Sequence, residues 1–416
     1  MKHFYCSFLI FFTFLSAQAK INPTVSDITE EDFRSHIGYL ASDWLKGRSS
    51  GTYGDYKAVE YIKNHFETAG MPRERYVEVQ EHFVFKDRRT KKRKVKTYNV
   101  IVTLPGQDPL LKDEIVVIGG HYDSVKNVRG KIHNGADDNA SGTSMVLELF
   151  EKHASTMDNK RTLVFMAFGG EELGLLGSKY FTENPTIDLS KVQIMINLDM
   201  VGRLDSEKNL QLGGTATAEN LDQMLEPFFE DISLNVTELG KGIFSRSDHY
   251  SFYKKDIPVL FFFTGLHTDY HSATDEADRV NYLGMMEIAE LVNEIVEYLT
   301  NKEDRLVFTK APMEDQQMTT PTKLKGTLGI MPDYAGDIKG LKVDAVIENK
   351  AAQKAGIIDN DIVTAINNVS IESIYDYMRI MANLDNEQFC NGPVEGCVLP
   401  VGITRGEESL TINVTF

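Results

Sequence analysis

Five apolar runs of strand length occur in the first 300 residues of this chain, at 100–104, 115–118, 163–168, 194–198 and 259–263. Three of them run out at a histidine or at acidic residues. The run at 115–118 leads through Gly119-Gly120 to His121 and Asp123, the run at 163–168 leads through Gly169-Gly170 to Glu171 and Glu172, and the run at 194–198 stops at Asp199. Helical periodicity fills the spaces at 142–153, 173–181, 218–229 and 285–299, and two earlier stretches, 30–45 and 56–69, carry apolar residues at helical spacing. This alternation predicts an α/β fold with a mainly parallel central sheet covered by helices. In such sheets ligands bind beyond the carboxyl ends of the strands, where these charged residues fall.

The ends of the chain read differently. Lys2 and His3, an apolar core at 8–15 and Ala17-Gln18-Ala19 form the pattern of a secretory signal cut after Ala19. The apolar core is too short to span a bilayer, and no cysteine follows the cut, so neither a membrane anchor nor a lipid anchor is expected. Export implies an oxidising compartment, periplasmic or extracellular, in which Cys390 and Cys397 are expected to pair once Cys6 leaves with the signal. From 301 to 323 periodicity fades into polar residues, which reads as a linker. Beyond it, short strands at 325–331, 343–347, 362–366, 397–403 and 410–416 around a helix near 373–384 make a small β-rich domain. The expected division is a signal at 1–19, a first domain at 20–300, a linker at 301–323 and a second domain at 324–416.

Composition removes two classes of function. With 42% hydrophobic and 25% charged residues the chain is not a membrane bundle, and a net charge of -17 is wrong for a nucleic-acid binder. The local basic stretch at 86–96 reads as a solvated hairpin tip between strands at 79–85 and 98–104. The four Asn-x-Ser/Thr sites, at Asn139, Asn235, Asn368 and Asn413, read as chance, because Asn139 lies inside the acidic motif.

Two histidines with a group of carboxylates suit a divalent cation bound through nitrogen and oxygen, zinc before copper or an iron–sulfur centre. The candidate ligands are His121, Asp138, Glu172, Asp199 and His271. An isolated histidine after a strand is ordinary structure, and adjacent glutamates are usually a solvated face; several carboxylates delivered to one region need compensating cations. Five ligands exceed the three of a usual catalytic zinc site, and one carboxylate bridging two ions ~3.5–4 Å apart absorbs the surplus. Asp138 is the expected bridge, which predicts two zinc ions per chain. Glu171 and Glu172 point in opposing directions at a strand end, so that one binds metal while Glu171 serves as general base toward a metal-bound water. Asp123 is placed to hold the other nitrogen of the His121 ring, and Tyr270 to donate to a developing oxyanion or simply to pack.

These residues carry a resemblance. Gly120-His121-Tyr122-Asp123, the run Ala136-Asp137-Asp138-Asn139-Ala140-Ser141-Gly142, Gly170-Glu171-Glu172, Asn197-Leu198-Asp199 and Tyr270-His271 resemble the motifs of the secreted dizinc aminopeptidases, MH-clan metallopeptidases. Supporting similarity lies in residues 40–48, 98–100 and Ser247-Asp248-His249. The resemblance implies a zinc aminopeptidase that removes N-terminal residues from peptides, and a cis peptide bond between Asp138 and Asn139. Carboxypeptidase, dipeptidase or glutaminyl cyclase chemistry on the same scaffold remains open, and a non-catalytic binding protein is the third class. The second domain resembles a PDZ domain, with Leu328-Gly329-Ile330 at the position of a carboxylate-binding loop for C-terminal peptide tails. Pro332 departs from an uninterrupted second strand, since proline removes a ladder donor.

Overall fold

The computed structural model describes residues 27–70, 74–87, 92–127, 130–156, 158–238, 247–267, 269–311, 325–332, 340–347, 350–371, 374–406 and 408–416. The expected signal at 1–19, most of the expected linker, and the middle of the basic stretch at 88–91 lie outside the described residues. No described helix is long and apolar enough to cross a membrane.

The first domain opens with α1 (Glu30–Leu40) and α2 (Tyr53–Thr68). Thr29 caps α1 by accepting the Asp32 N–H, while the Asp32 carboxylate accepts the Thr29 N–H, a reciprocal pair that satisfies two orphan donors. Then follow β1 (Tyr76–Asp87), β2 (Lys92–Leu104), β3 (Ile115–His121), α3 (Gly142–Thr156), β4 (Thr162–Phe168), α4 (Leu176–Glu183), β5 (Val192–Leu198), β6 (Asn209–Gly213), α5 (Leu221–Leu225), β7 (Asn235–Glu238), α6 (His249–Tyr253), β8 (Val259–Phe263) and α7 (Tyr282–Asn301). The strands form one sheet in the order β1-β2-β4-β3-β5-β8-β6-β7. Its centre, β4-β3-β5-β8, is parallel, and β1, β2 and β6 join antiparallel.

Both faces of the sheet are covered, so the central strands are apolar on both sides. Along β3, Val116 and Ile118 pack into a core with α1, α2, α3 and α7, while Ile115 and Val117 pack into a second core with Phe181 of α4 and Phe252 of α6. The period of two explains why the central strands read as continuous apolar runs. The strands at 209–213 and 235–238 and helix α6 were not expected, because they are short and carry polar residues at alternate positions. The helix expected at 218–229 is shorter, and its last residues form a 3-10 turn containing Pro227.

The linker reading needs correction at its start. Residues 302–311 pack on the first domain: Leu306 and Ala311 are buried, Tyr253 donates to the Ala311 carbonyl at 3.1 Å, and the buried Arg161 donates to the carbonyls of Lys302 and Glu303. Glu303 and Asp304 are exposed, and the anchors are backbone carbonyls together with the Arg305 guanidinium, which donates to the Ser190 carbonyl.

The second domain comprises β9 (Ile330–Pro332), β10 (Leu341–Val346), α8 (Ala351–Ala355), β11 (Ile362–Ile366), β12 (Val369–Ser370), α9 (Ile374–Ala382), β13 (Val398–Arg405) and β14 (Glu408–Thr415). Its antiparallel sheet runs β14-β13-β11-β10-β9 around a separate core that includes Leu328, Val343, Val363, Ile380 and Val401. Pro332 does pair, opposite Val343, next to an irregularity in register. Cys390 and Cys397 are disulfide-bonded.

Candidate metal centre

Because β4, β3, β5 and β8 lie side by side and parallel, their carboxyl ends open onto one place. His121 is the last residue of β3, Glu171 and Glu172 follow β4, Asp199 follows β5, and His271 lies in the loop after β8. Gly170 turns the chain between β4 and the glutamates at φ 86, a left-handed conformation that suits glycine. Asp138 comes from a tight segment, Ala136–Ser141, between β3 and α3, and the Asp138–Asn139 bond is cis. The Asn139 side chain locks that segment to the end of β5: its Nδ2 donates to the Leu198 carbonyl at 2.9 Å and its Oδ1 accepts the Met200 N–H at 3.1 Å. Any Cβ at Gly142 would stand 2.2 Å from the Leu198 carbonyl oxygen, so close an approach needs glycine.

The five expected ligands form two clusters that share Asp138: His121, Asp138 and Asp199 in one, and Asp138, Glu172 and His271 in the other. Asp138 Oδ1 lies 3.3 Å from His121 Nε2, and its Oδ2 lies 3.1 Å from His271 Nε2. Asp199 Oδ1 is 3.4 Å from His121 Nε2, and Glu172 Oε2 is 3.2 Å from His271 Nε2. Glu171 stands beside the first cluster, 3.9 Å from His121 Nε2, and Glu172 belongs to the second. The adjacent glutamates thus diverge.

The clusters are buried and carry an excess of oxygen. Glu172 Oε1 and Asp199 Oδ1 are buried without a hydrogen-bond partner among the described residues. Orphaned carboxylate oxygens facing paired imidazoles suit a cation and are costly without one. Burial pushes Glu172 up to about 7 and Glu171 well above the usual carboxylate range. Burial opposes charge on His271 as well, yet the carboxylates of Glu172 and Asp138 hold its pKa at about 10. The donor set of two nitrogens and three carboxylates fits a divalent metal of the zinc type.

Around the ligands, Asp123 behaves differently from expectation in one atom. The nearest group to His121 Nδ1 is the Asp123 backbone carbonyl, at 3.1 Å, while the carboxylate is 3.6 Å away. That carboxylate instead accepts the Glu171 N–H at 3.0 Å and the Ser50 hydroxyl at 3.3 Å. Tyr270 stacks on the His271 ring with centroids 3.8 Å apart.

Several supports were not assigned from sequence. Asp275 accepts the N–H of Asp137 and Asp138, Asp137 accepts the Gly202 N–H at 2.6 Å and meets His267 at 3.0 Å, and fully buried Arg48 donates to the carbonyls of Leu40, Tyr122, Asn134 and Gly135. Asp248, also buried, is pushed up to about 7 by burial. Arg48 and Asp248 lie in stretches that carried the resemblance, yet the backbone partners of Arg48 leave no mark in sequence spacing.

Known proteins share the family profiles and the fold of this chain. Residues 99–296 match the profile of peptidase family M28, and residues 342–389 that of a PDZ domain. A probable leucine aminopeptidase of Arthroderma otae is 31% identical over 214 residues, which are 47% of this chain and 55% of the relative. Leupeptin-inactivating enzyme 1 of Streptomyces exfoliatus is 28% identical over 263 residues, 62% of this chain and 54% of the relative. The chain thus spans about half the length of the curated relatives it matches. The solved structure of BSAP, a zinc aminopeptidase from Bacillus subtilis, superposes with a TM-score of 0.55 at 17% identity, covering 70% of this chain and 99% of that one. Residues 99–296 are therefore a peptidase family M28 domain, and a PDZ domain follows it at residues 342–389 of the same chain.

Proposed function

We propose that this chain is an exported aminopeptidase that holds two zinc ions and hydrolyses N-terminal residues from peptides. The observation that carries the reading is the pair of three-residue clusters sharing Asp138, with Glu171 beside them. His121 and Asp199 would hold one ion, Glu172 and His271 the other, and Asp138 would bridge them. Zinc held there would supply Lewis acidity and lower the pKa of a bound water to about 7.

The chain's own residues do the rest. Glu171, held by its backbone N–H on Asp123, takes the proton of the attacking water and returns it to the leaving amine nitrogen. Asp123 fixes the His121 ring through its carbonyl, so that Nε2 faces the ligands. Tyr270 is the candidate donor to the developing oxyanion, oriented by its stack on His271.

The choice of a free amino end over a free carboxylate rests on charge. Among the described cations near the site, Arg48 is committed to four backbone carbonyls, and Arg203 and Arg279 pair with Asp269. Arg203 engages Asp269 through Nη2 alone, so the preference rests on the acidic side: buried Glu171 and Asp248 favour a cationic group. Leucine aminopeptidases among the relatives support the same class. The proposed peptidase unit ends near residue 311, and the PDZ domain would take C-terminal tails at Leu328, Gly329 and Ile330.

One panel tests this. Peptides with a free amino end should be cleaved, N-acetylated forms resist, and a chelator abolish turnover until zinc is restored. Cleavage of N-blocked peptides at an equal rate would remove the aminopeptidase reading.

A further inference from the structure

Away from the strand ends, three helices on one face of the sheet bring nitrogen and oxygen donors together. His36 of α1, His65 of α2 and Glu148 of α3 each place one ligand atom within 4.8 Å of the others. His36 Nε2 lies 2.7 Å from Glu148 Oε1, and the His36 and His65 rings meet edge-on with centroids 4.8 Å apart. Glu151, one turn further along α3, has its Oε2 3.6 Å from His65 Nε2. The Tyr61 hydroxyl lies 2.8 Å from His36 Nδ1.

Packing does not explain this choice of residues. His36 and Glu148 are buried where α1, α2 and α3 meet, a junction that apolar side chains would fill without desolvating ionisable groups. Neither three-residue cluster at the strand ends includes His36, His65 or Glu148.

We propose that His36, His65 and Glu148 form a further divalent-cation site of the zinc class, completed by Glu151, that ties α1, α2 and α3 together. Two imidazoles and two carboxylates favour zinc over calcium or magnesium, which prefer all-oxygen shells. Zinc bonds of ~2.0–2.2 Å set tetrahedral ligand edges of about 3.4 Å, so the His36–Glu148 contact opens slightly and His65 draws in, within the reach of side-chain rotation. Tyr61 plays the part of the outer partner of a metal-bound histidine: with Nδ1–H donating to its hydroxyl, His36 Nε2 is left as the ligand. The site sits on the helices that frame the M28 centre, because α3 begins directly after the Asp138 segment and α1 packs against that segment. Its role is to stabilise that frame; it does no chemistry.

The test uses full-length protein stripped of metal and titrated with zinc alone. His65→Gln and Glu148→Gln should each bind one zinc equivalent fewer than wild type and lose part of the zinc-induced rise in unfolding temperature. His65→Gln should keep its peptidase turnover. Crystals of wild-type protein grown with zinc should show an anomalous peak at the zinc edge between His36, His65 and Glu148. If both variants bind as much zinc as wild type, or the peak is missing there, the cluster is a neutral hydrogen-bonded packing device and the proposal is wrong. Should either variant fail to fold, the wild-type anomalous map decides alone. Zinc missing only from the strand-end centre would count against the proposed function and leave this site standing.

Discussion

The carboxylate of Asp275 accepts the backbone N–H of Asp138 at 3.0 Å, from a position 137 residues further along the chain. It also accepts the Asp137 N–H, at 3.0 Å, so one buried side chain holds the segment that presents Asp138, the residue common to both clusters. Asp275 lies four residues after His271, and it therefore couples two of the three segments whose side chains make the second cluster. Asp275→Ala should weaken metal binding at the centre by about 10–100-fold, the usual cost of removing a group that orients a ligand. Isothermal titration of the metal-free variant with zinc checks this; unchanged affinity would mean that the Asp138 segment holds itself.

Glu171→Gln should separate binding from turnover. The side chain stands 3.9 Å from His121 Nε2 and outside both three-residue clusters, so its amide should leave metal content close to wild type. Loss of the proton acceptor should lower kcat by about 10²–10⁴-fold. Glu172→Gln should do the reverse in order, losing metal first, because Glu172 is 3.2 Å from His271 and is a cluster member. Elemental analysis beside steady-state kinetics distinguishes the two, and near-normal turnover in Glu171→Gln would assign the base elsewhere.

The centre was legible because buried parallel strands are apolar on both faces, so the residues at their ends stand out against continuous hydrophobic runs. His121, Glu171, Glu172 and Asp199 are visible for that reason alone. His271 and Asp138 come from loops and needed the company of the others. The supports around them could not be read this way: Arg48 and Asp275 act on backbone groups far away in sequence, and any polar residue in a loop would look the same. Likewise His36 and Glu148 are 112 residues apart on two helices, where each reads as one polar residue on an otherwise apolar face. The edge strands β6 and β7 were missed because their short alternating patterns resemble loops, and the polar start of the expected linker conceals backbone anchoring to Arg161.

Arg48 and Arg161 are the largest fully buried side chains among the described residues, and the Arg48 guanidinium joins the end of α1 to both ends of the connection between β3 and the Asp138 segment. Arg48→Met keeps volume but leaves the carbonyls of Leu40, Tyr122, Asn134 and Gly135 without that donor. Each buried group left unsatisfied costs about 1–3 kcal/mol, so the sum should exceed roughly 3 kcal/mol. Arg48→Lys should recover only part of it, since an ammonium cannot reproduce the planar fork. Urea unfolding followed by circular dichroism measures this, and a loss below 1 kcal/mol would show that the loops relax to find other donors.

In the second domain, buried Asp361 should make stability depend on pH. Burial opposes its charge, but Arg405 donates to both carboxylate oxygens at 2.8 Å and the Ile358 N–H donates at 2.9 Å, which holds the Asp361 pKa below its ordinary value. A carboxylate with a lowered folded-state pKa contributes stability that is complete above the unfolded value of about 3.9 and is lost as pH falls through the folded value. Wild type should therefore lose unfolding temperature between about pH 4.5 and 3. Asp361→Asn should start lower at pH 7 and lose less over the same window. Calorimetry at both ends of that window checks the sign; parallel pH profiles would place the contribution elsewhere.

The PDZ domain poses the last test. Every proposed ligand of the centre and Glu171 precede residue 300, and the two cores of the first domain close with Leu306 and Ala311, while a separate core begins at Leu328. Truncation near Thr320 should therefore leave turnover of a short chromogenic amino-acid substrate largely intact. Longer peptides should respond differently if the domain holds their C-termini, because a tethered second contact raises effective concentration only when one peptide spans both sites. At the candidate loop, Leu328 N–H already donates to the Tyr377 hydroxyl at 3.0 Å and Gly329 N–H to the Thr327 hydroxyl at 3.1 Å. An arriving carboxylate must displace those neutral acceptors, which a charged group can do because its hydrogen bonds are about twice as strong. The truncated enzyme should then lose more activity on peptides with a free C-terminus than on their amidated forms. Equal losses on both forms would mean that Tyr377 and Thr327 keep the loop closed and that the domain does not read a carboxylate; loss of the short substrate as well would mean that the M28 domain needs its neighbour to fold.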